Sequence, residues 1–215
     1  MLILGLFGSN ATFAIIFIVA LLICLTVHEY AHALVATKLG DPTAKLDGRL
    51  TLNPIAHLDP MGTVFLLLVG FGWGKPVPIN PRYFSKKSDE ILVALAGITT
   101  NLILALACAI PLRSLLASNQ AAGASTLIVF LSVMVLLDVI LAVFNLLPIP
   151  PLDGSHVVEY FLSDSAKYQY QFLGPYLLIG LILLDYFSST SIIFALAEPV
   201  IRFIAGSQIT QLFFR

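Results

Sequence analysis

Charge is what this sequence has least of. Of its 215 residues, 11% are Asp, Glu, Lys or Arg, where a soluble domain carries about 25%, so there are too few charged side chains to clothe a folded chain of this size in water. Nor is one sign in excess. Eleven basic residues stand against 12 acidic ones for a net charge of −1, and without a polycationic surface to neutralise phosphates, nucleic acid is excluded as a partner. The two cysteines, Cys24 and Cys108, lie far apart in apolar runs and read as small core residues without redox meaning. No Lys or Arg precedes the first apolar stretch in MLILGLFGSN. The basic n-region of a cleavable signal is therefore missing, and the first apolar run is expected to stay in the mature protein. Repeats of solenoid length, Ser/Gly linkers and charge blocks are absent as well, which leaves one domain over 1–215.

What the sequence has in abundance is apolar surface. Ala, Val, Ile, Leu, Met, Phe, Trp, Tyr and Cys make up 59% of it, with 14 Gly besides, against about 45–50% with Gly counted in soluble domains. The surface that cannot face water must face lipid. A helix needs about 20 apolar residues to cross a hydrocarbon core of about 30 Å. Runs at 11–37, 91–112 and 124–147 meet this, and 172–187 and 191–204 are short enough to need tilt or local thinning. The run 61–71 is too short and reads as re-entrant or interfacial. The segment 41–84 is broken by Gly48, Asn53-Pro54, Asp59-Pro60, Gly72, Gly74, Pro76, Pro78 and Pro81, a spacing that fits short strands and turns. The fold class expected is an all-α polytopic membrane protein of about five transmembrane helices with a short β/re-entrant insertion after the first. Its catalytic core would be 11–37, 91–112 and 124–147, followed by C-terminal helices over 172–206.

Lys38, Lys45, Arg49, Lys75, Arg82, Lys86 and Lys87 gather seven of the basic residues in one segment, which by the positive-inside rule places 38–90 in the cytoplasm and the N-terminus outside. The turn 148–171 and the tail with Arg202 and Arg215 then also fall inside. Arg113, at the far end of the second span, pulls against this scheme.

Near the inner end of the first span stands Thr26-Val27-His28-Glu29-Tyr30-Ala31-His32. In this H-E-x-x-H, residues four apart on a helix differ by about 40° in azimuth, so both imidazoles can close on one metal with Glu29 beside them to handle protons. A charge in a bilayer helix costs about 2.5–3.5 kcal/mol on insertion scales, so three ionisable groups there call for a compensating partner. A hydrolytic zinc takes three protein ligands and keeps a position for water. The metzincin pattern would need Gly and His at positions 35 and 38, which are Val35 and Lys38. The third ligand must come from elsewhere: Asp47, His57, Asp59, Asp138, Asp153, His156, Asp185 or Glu198. Topology favours Asp153, because the third span delivers Asn145-Leu146-Leu147-Pro148-Ile149-Pro150-Pro151-Leu152-Asp153-Gly154 to the same side as the histidines, and its prolines suggest an extended stretch folding back. His57 is read as bonding a backbone carbonyl as readily as lining the site, and His156 as contacting solvent or the ligands' surroundings. Asp138 shares a helix face with Asn145, and Glu198-Pro199 marks a kink.

His28-Glu29-x-x-His32 followed two spans later by Asn145-x-x-Pro148-x-x-x-x-Asp153-Gly154 resembles the site-2 protease family of intramembrane zinc metalloproteases, in its short prokaryotic branch. Gly97-x-x-x-Asn101 and Gly72-Trp73-Gly74-Lys75-Pro76-Val77-Pro78-Ile79-Asn80-Pro81 are similar to further patterns of that family. The resemblance implies that His28, His32 and Asp153 bind Zn2+, that Glu29 is the catalytic base and that Asn145 assists at the substrate carbonyl. The partners it implies are a membrane-protein or peptide substrate and the lipid bilayer, with a homo-oligomer left open. It also implies an integral protein of a prokaryotic cell membrane with its site near the cytoplasmic side. A peptide held in a helix is shielded by its own hydrogen bonds, so the substrate would have to unwind, and an edge over 47–53 could receive it as a strand. The rival reading is a transporter or ion pathway using the same His/Glu/Asp cluster, against which stands the gathering of titratable groups at one end of the spans.

Overall fold

The computed structural model describes residues 10–69, 72–117, 125–188 and 191–207; the N-terminal stretch before Asn10 and the tail with Arg215 lie outside them. In chain order the described helices are α1 (Ala11–Lys38), the short α2 (Thr43–Leu46), α3 (Pro60–Val69), α4 (Asp89–Ala117), α5 (Ser125–Leu146), the short α6 (Ser155–Glu159), α7 (Asp164–Phe187) and α8 (Ile192–Ala205). Lipid offers no partner to an open backbone, so apolar runs of this length close their hydrogen bonds internally as helices. Four of them, α1, α4, α5 and α7, are long and apolar enough to cross a membrane.

The core is made by α1, α4 and α5. His32 on α1 meets Val93 on α4, and His28 meets Asn101, so the two helices run antiparallel. Helix α5 returns to bring Asn145 and Asp153 to the histidine end. Small residues make the close approach possible: Ala20, Cys24, Ala31 and Ala33 on α1 and Ala94, Gly97, Ala105 and Ala109 on α4 are buried, the packing expected where lipid supplies no hydrophobic drive between helices. Ile15, Ile103, Leu106, Ile110 and Leu127 point outward. Helix α7 stands off from this core, with Gly174 as its one buried residue. It is held by Tyr170 Oη donating to the Pro148 carbonyl at 2.7 Å and by Gln171 Nε2 donating to Glu159 at 3.0 Å.

The expected fifth span is not among these four helices. Helix α8 has 14 residues, a rise of about 21 Å, and its last turn lies beside the end of α4 remote from the histidines. There Arg113 Nη2 donates to the Phe203 carbonyl at 3.3 Å, and Gly206, at φ 91°, ends the helix. The chain at 206–207 is therefore at the end of the bundle opposite the histidines, not on their side as the charge rule suggested for Arg202. Arg113 satisfies a carbonyl that the end of a helix leaves open and places its charge at the negative pole of the dipole, which is the physical reason a cation sits where the orientation rule disfavours one.

The insertion also departs from expectation. Among the described residues it forms no strand, only an isolated antiparallel bridge between Leu58 and Gly74. Its two limbs nevertheless run antiparallel. Pro76, Pro78 and Pro81 lack N–H groups and cannot feed a ladder, so side chains take over. Asp41 accepts from the Asn80 N–H at 2.7 Å, Arg49 donates to the Pro76 and Lys75 carbonyls at 3.0 and 2.5 Å, and Lys75 N–H donates to the His57 carbonyl at 2.9 Å. Helix α3 closes the tip, where Gly62 lies so close to Trp73 that a Cβ would overlap the Trp73 carbonyl. The expected edge at 47–53 holds turns instead, with Gly48 at φ 71°.

Candidate metal centre

His28 and His32 lie one helical turn apart and are both buried, their rings 4.6 Å apart at 82° and their Nε2 atoms at 3.0 Å. What orients them comes from α4. His32 Nδ1 is 2.7 Å from the Val93 carbonyl. A carbonyl can only accept, so the proton is on Nδ1 and the lone pair of the neutral ring is on Nε2. His28 Nδ1 faces Asn101 Oδ1 at 3.2 Å with the same result. Gly97 lets α4 come this near: a Cβ there would lie 2.5 Å from His32 Nε2 and 2.6 and 2.7 Å from His28 Cε1 and Nδ1.

Asp153 arrives by a different route. The chain after α5 does not extend, as its prolines suggested, but folds through successive turns with Leu152 N–H donating to the Ile149 carbonyl at 2.8 Å and Gly154 N–H to the Asn145 carbonyl at 2.7 Å. Gly154 sits against the Leu146 carbonyl where any Cβ would collide. Ser155 Oγ then donates to the Leu152 carbonyl at 2.6 Å. These bonds set Asp153 Oδ2 at 3.2 Å from His28 Nε2 and 3.3 Å from His32 Nε2.

Three electron-pair donors thus form a near-equilateral triangle, with sides of 3.0, 3.2 and 3.3 Å. Among the described residues Asp153 Oδ2 has no hydrogen-bond donor, and it has little contact with solvent. Such a cluster needs positive charge at its centre. The donor set, two imidazole nitrogens and a carboxylate oxygen, is that of catalytic zinc sites, and tetrahedral bonds of about 2.0–2.1 Å put ligand atoms about 3.3 Å apart. Among the described residues it is the one group of three or more His, Cys, Asp or Glu whose ligand atoms lie within 4.8 Å of one another.

Glu29 is half-buried on the same turn of α1. Asn145 Nδ2 donates to the Leu141 carbonyl at 3.0 Å on its own helix. The other candidates lie elsewhere. His57 is fully buried in the insertion, with Nε2 at 2.8 Å from the Thr51 carbonyl. Asp59 accepts from the Gly62 N–H at the start of α3, and Asp185 accepts from Ser191 and the Ile193 N–H at the start of α8. Glu198 pairs with Arg202 at 2.6 Å, and His156 Nδ1 is 3.7 Å from Glu159. Asp47 follows α2 on the surface. Asp138 is fully buried in α5, and neither of its carboxyl oxygens has a hydrogen-bond partner among the described residues. Sequence reasoning gave Asn101 no role of its own. The signal was a fully polar amide inside an apolar span, which must find a partner there.

Residues 114–184 match the model of peptidase family M50. The Bacillus subtilis protein named "Putative zinc metalloprotease YwhC" is 47% identical over 146 residues, 66% of this chain and 67% of that one. The proteins named "Putative zinc metalloprotease Rip2" in Mycobacterium tuberculosis and Mycolicibacterium smegmatis are 32% and 33% identical, covering 68% and 71% of this chain and 57% and 60% of theirs. The chain thus spans about two thirds of the first relative and less of the other two. No solved structure matches it. With its core helices able to cross a membrane and close to half of its residues identical to a zinc metalloprotease relative over that length, the chain belongs to peptidase family M50, the site-2 protease family of zinc-dependent metalloendopeptidases.

Proposed function

We propose that this membrane metallopeptidase holds its zinc on His28, His32 and Asp153 and hydrolyses a peptide bond in or near a transmembrane segment of another protein. The observation that carries the reading is the triangle of lone pairs from α1 and the Asp153 turn, closed by no proton donor among the described residues. Zinc in such a site acts as a Lewis acid toward the peptide carbonyl and lowers the pKa of water toward 7. The remaining work belongs to the chain. Glu29 takes the proton of the attacking water and returns it to the departing amine. The Nδ1 bonds to Val93 and Asn101 fix both imidazoles in the tautomer that presents Nε2. Asn145, released from Leu141, offers its amide to the developing oxyanion, a single donor of the kind worth about 2.7–4 kcal/mol in rate. The peptidase assignment is favoured over a transporter by the family match and the named relatives.

The whole of 1–215 serves as one catalytic domain, with α3 dipping into or lying on the bilayer. We place the histidine end near the cytoplasmic side of a prokaryotic cell membrane, because seven basic residues crowd the stretch from Lys38, the last residue of α1, to Lys87, and the relatives compared are bacterial. Two variants test the reading. Glu29→Gln is expected to keep zinc near one per chain and to abolish cleavage of a membrane-helix substrate, whereas Asp153→Ala is expected to lose the metal. Full zinc in Asp153→Ala, or cleavage by Glu29→Gln at the parent rate, would sink it.

A further inference from the structure

The insertion contains a cation in an unusual place. Arg49 is 2% exposed, and among the described residues no carboxylate forms an ion pair with it. A buried charge is costly unless its donors are used, and here the two terminal nitrogens are used on backbone while Nε has no partner among the described residues. Nη1 donates to the Pro76 carbonyl at 3.0 Å and Nη2 to the Lys75 carbonyl at 2.5 Å. Nη2 also approaches His57 Nδ1 at 3.5 Å, and the His57 ring, fully buried, donates from Nε2 to the Thr51 carbonyl at 2.8 Å. The carbonyl of His57 accepts from the Lys75 N–H at 2.9 Å. One arginine and one histidine therefore join three separate stretches of the insertion, around positions 49–51, 57 and 75–76.

The limb they hold packs on α1 one turn from Glu29. Gly74 is packed on α1 so closely that a Cβ would lie 3.1 Å from Leu25 Cδ1 and 3.2 Å from the His57 carbonyl. Leu25 is one turn before Glu29 on the same face of the helix. While the carbonyls of Lys75 and Pro76 point inward to Arg49, the residues Trp73, Lys75 and Ile79 stand exposed on the other side. With prolines at 76 and 78 the limb cannot secure itself by strand pairing. The Arg fork, which holds two carbonyls at once, is what a lysine ammonium cannot reproduce.

We propose that Arg49 and His57 are positioning residues that hold the limb 72–80 against the Glu29 turn of α1 and thereby form the substrate-side wall of the metal centre. The inference deepens the peptidase reading and rests on it for the word substrate; the clamp itself does not. The test uses the full chain in detergent, with three readouts on Arg49→Lys, His57→Leu and His57→Gln. The first is hydrogen–deuterium exchange resolved by peptide, the second zinc content, and the third KM and kcat on a dye-quenched pool of membrane-helix peptides. In Arg49→Lys and His57→Leu, exchange over 72–80 is expected to rise about tenfold while α1, α4 and α5 stay protected, zinc stays near one per chain, and KM rises at least about fivefold with kcat within about threefold. His57→Gln, which keeps a donor for Thr51, is expected to restore most of the protection. Exchange over 72–80 that stays at the parent level, or that rises only together with the three core helices, overturns the proposal, as does a loss confined to kcat. If the parent cleaves nothing in the pool, the peptidase reading suffers while the exchange experiment still decides the clamp.

Discussion

Gly97 on α4 and His32 on α1 are in contact through a missing side chain: a methyl on Gly97 would lie 2.5 Å from Nε2 of His32, the atom that faces Asp153. The helices are also tied at Val93 and Asn101 on either side of this point, so the imidazole has nowhere to retreat without leaving its bonds. Gly97→Ala is therefore expected to act as an overpacking change of about 1–3 kcal/mol, and to weaken zinc binding more than stability. Zinc content after competition with a chelator, measured beside thermal unfolding, checks this. Parent-like metal retention would refute it.

Among the described residues, Asn101 reaches the candidate metal centre through His28. Its Oδ1 faces Nδ1 at 3.2 Å, and it is fully buried. Partners of this kind fix the ring and its tautomer, and their removal costs about 10–100-fold in metal affinity. Asn101→Ala should lower zinc affinity by about that factor, with cleavage recovered at high zinc. A variant that binds zinc as the parent does would show that helix packing alone orients His28.

These partners mark the boundary of what the sequence made legible. His28, Glu29 and His32 could be read at once because their relation is local, four residues on a helix. Asp153 could be reached because topology returns it to the same end. Gly97 and Asn101 were visible as a pattern, but their task depends on which face of α4 meets α1, and apolar runs that are greasy all round do not reveal their faces. The limbs of 41–84 were expected as strands because turn residues bounded them. They pair through Asp41 and Arg49 instead, a substitution of side chain for backbone that no period discloses. The run at 191–204 reads as a span because hydropathy measures how apolar a segment is, not where its ends go; Arg113, out of place by the charge rule, marks where its last turn lies.

Gly154 controls where Asp153 stands. Its N–H donates to the Asn145 carbonyl at 2.7 Å, and a Cβ would fall 2.5 Å from the Leu146 carbonyl carbon and 2.8 Å from the Leu147 oxygen. Backbone cannot yield as a flexible side chain can, so Gly154→Ala must move the turn and the carboxylate it carries. The expected outcome is zinc loss approaching that of Asp153→Ala, with unfolding shifted by about 1–3 kcal/mol. Comparing metal content in the two variants checks it, and a fully loaded Gly154→Ala protein would contradict it.

The position of α8 predicts a sidedness opposite to the one charge alone suggests. Phe203 and Gly206 lie by Arg113, at the end of α4 away from Val93, whereas Lys87 bonds the Tyr160 carbonyl at 3.1 Å just before α4 begins. A thiol at Ser207 and one at Lys87 should therefore lie across the membrane from each other. In sealed vesicles a membrane-impermeant maleimide is expected to label Ser207→Cys from one side and Lys87→Cys only from the other, with the native Cys24 and Cys108, both buried, contributing little. Labelling of both from the same side would mean that Arg113 and Phe203 are not neighbours in the membrane.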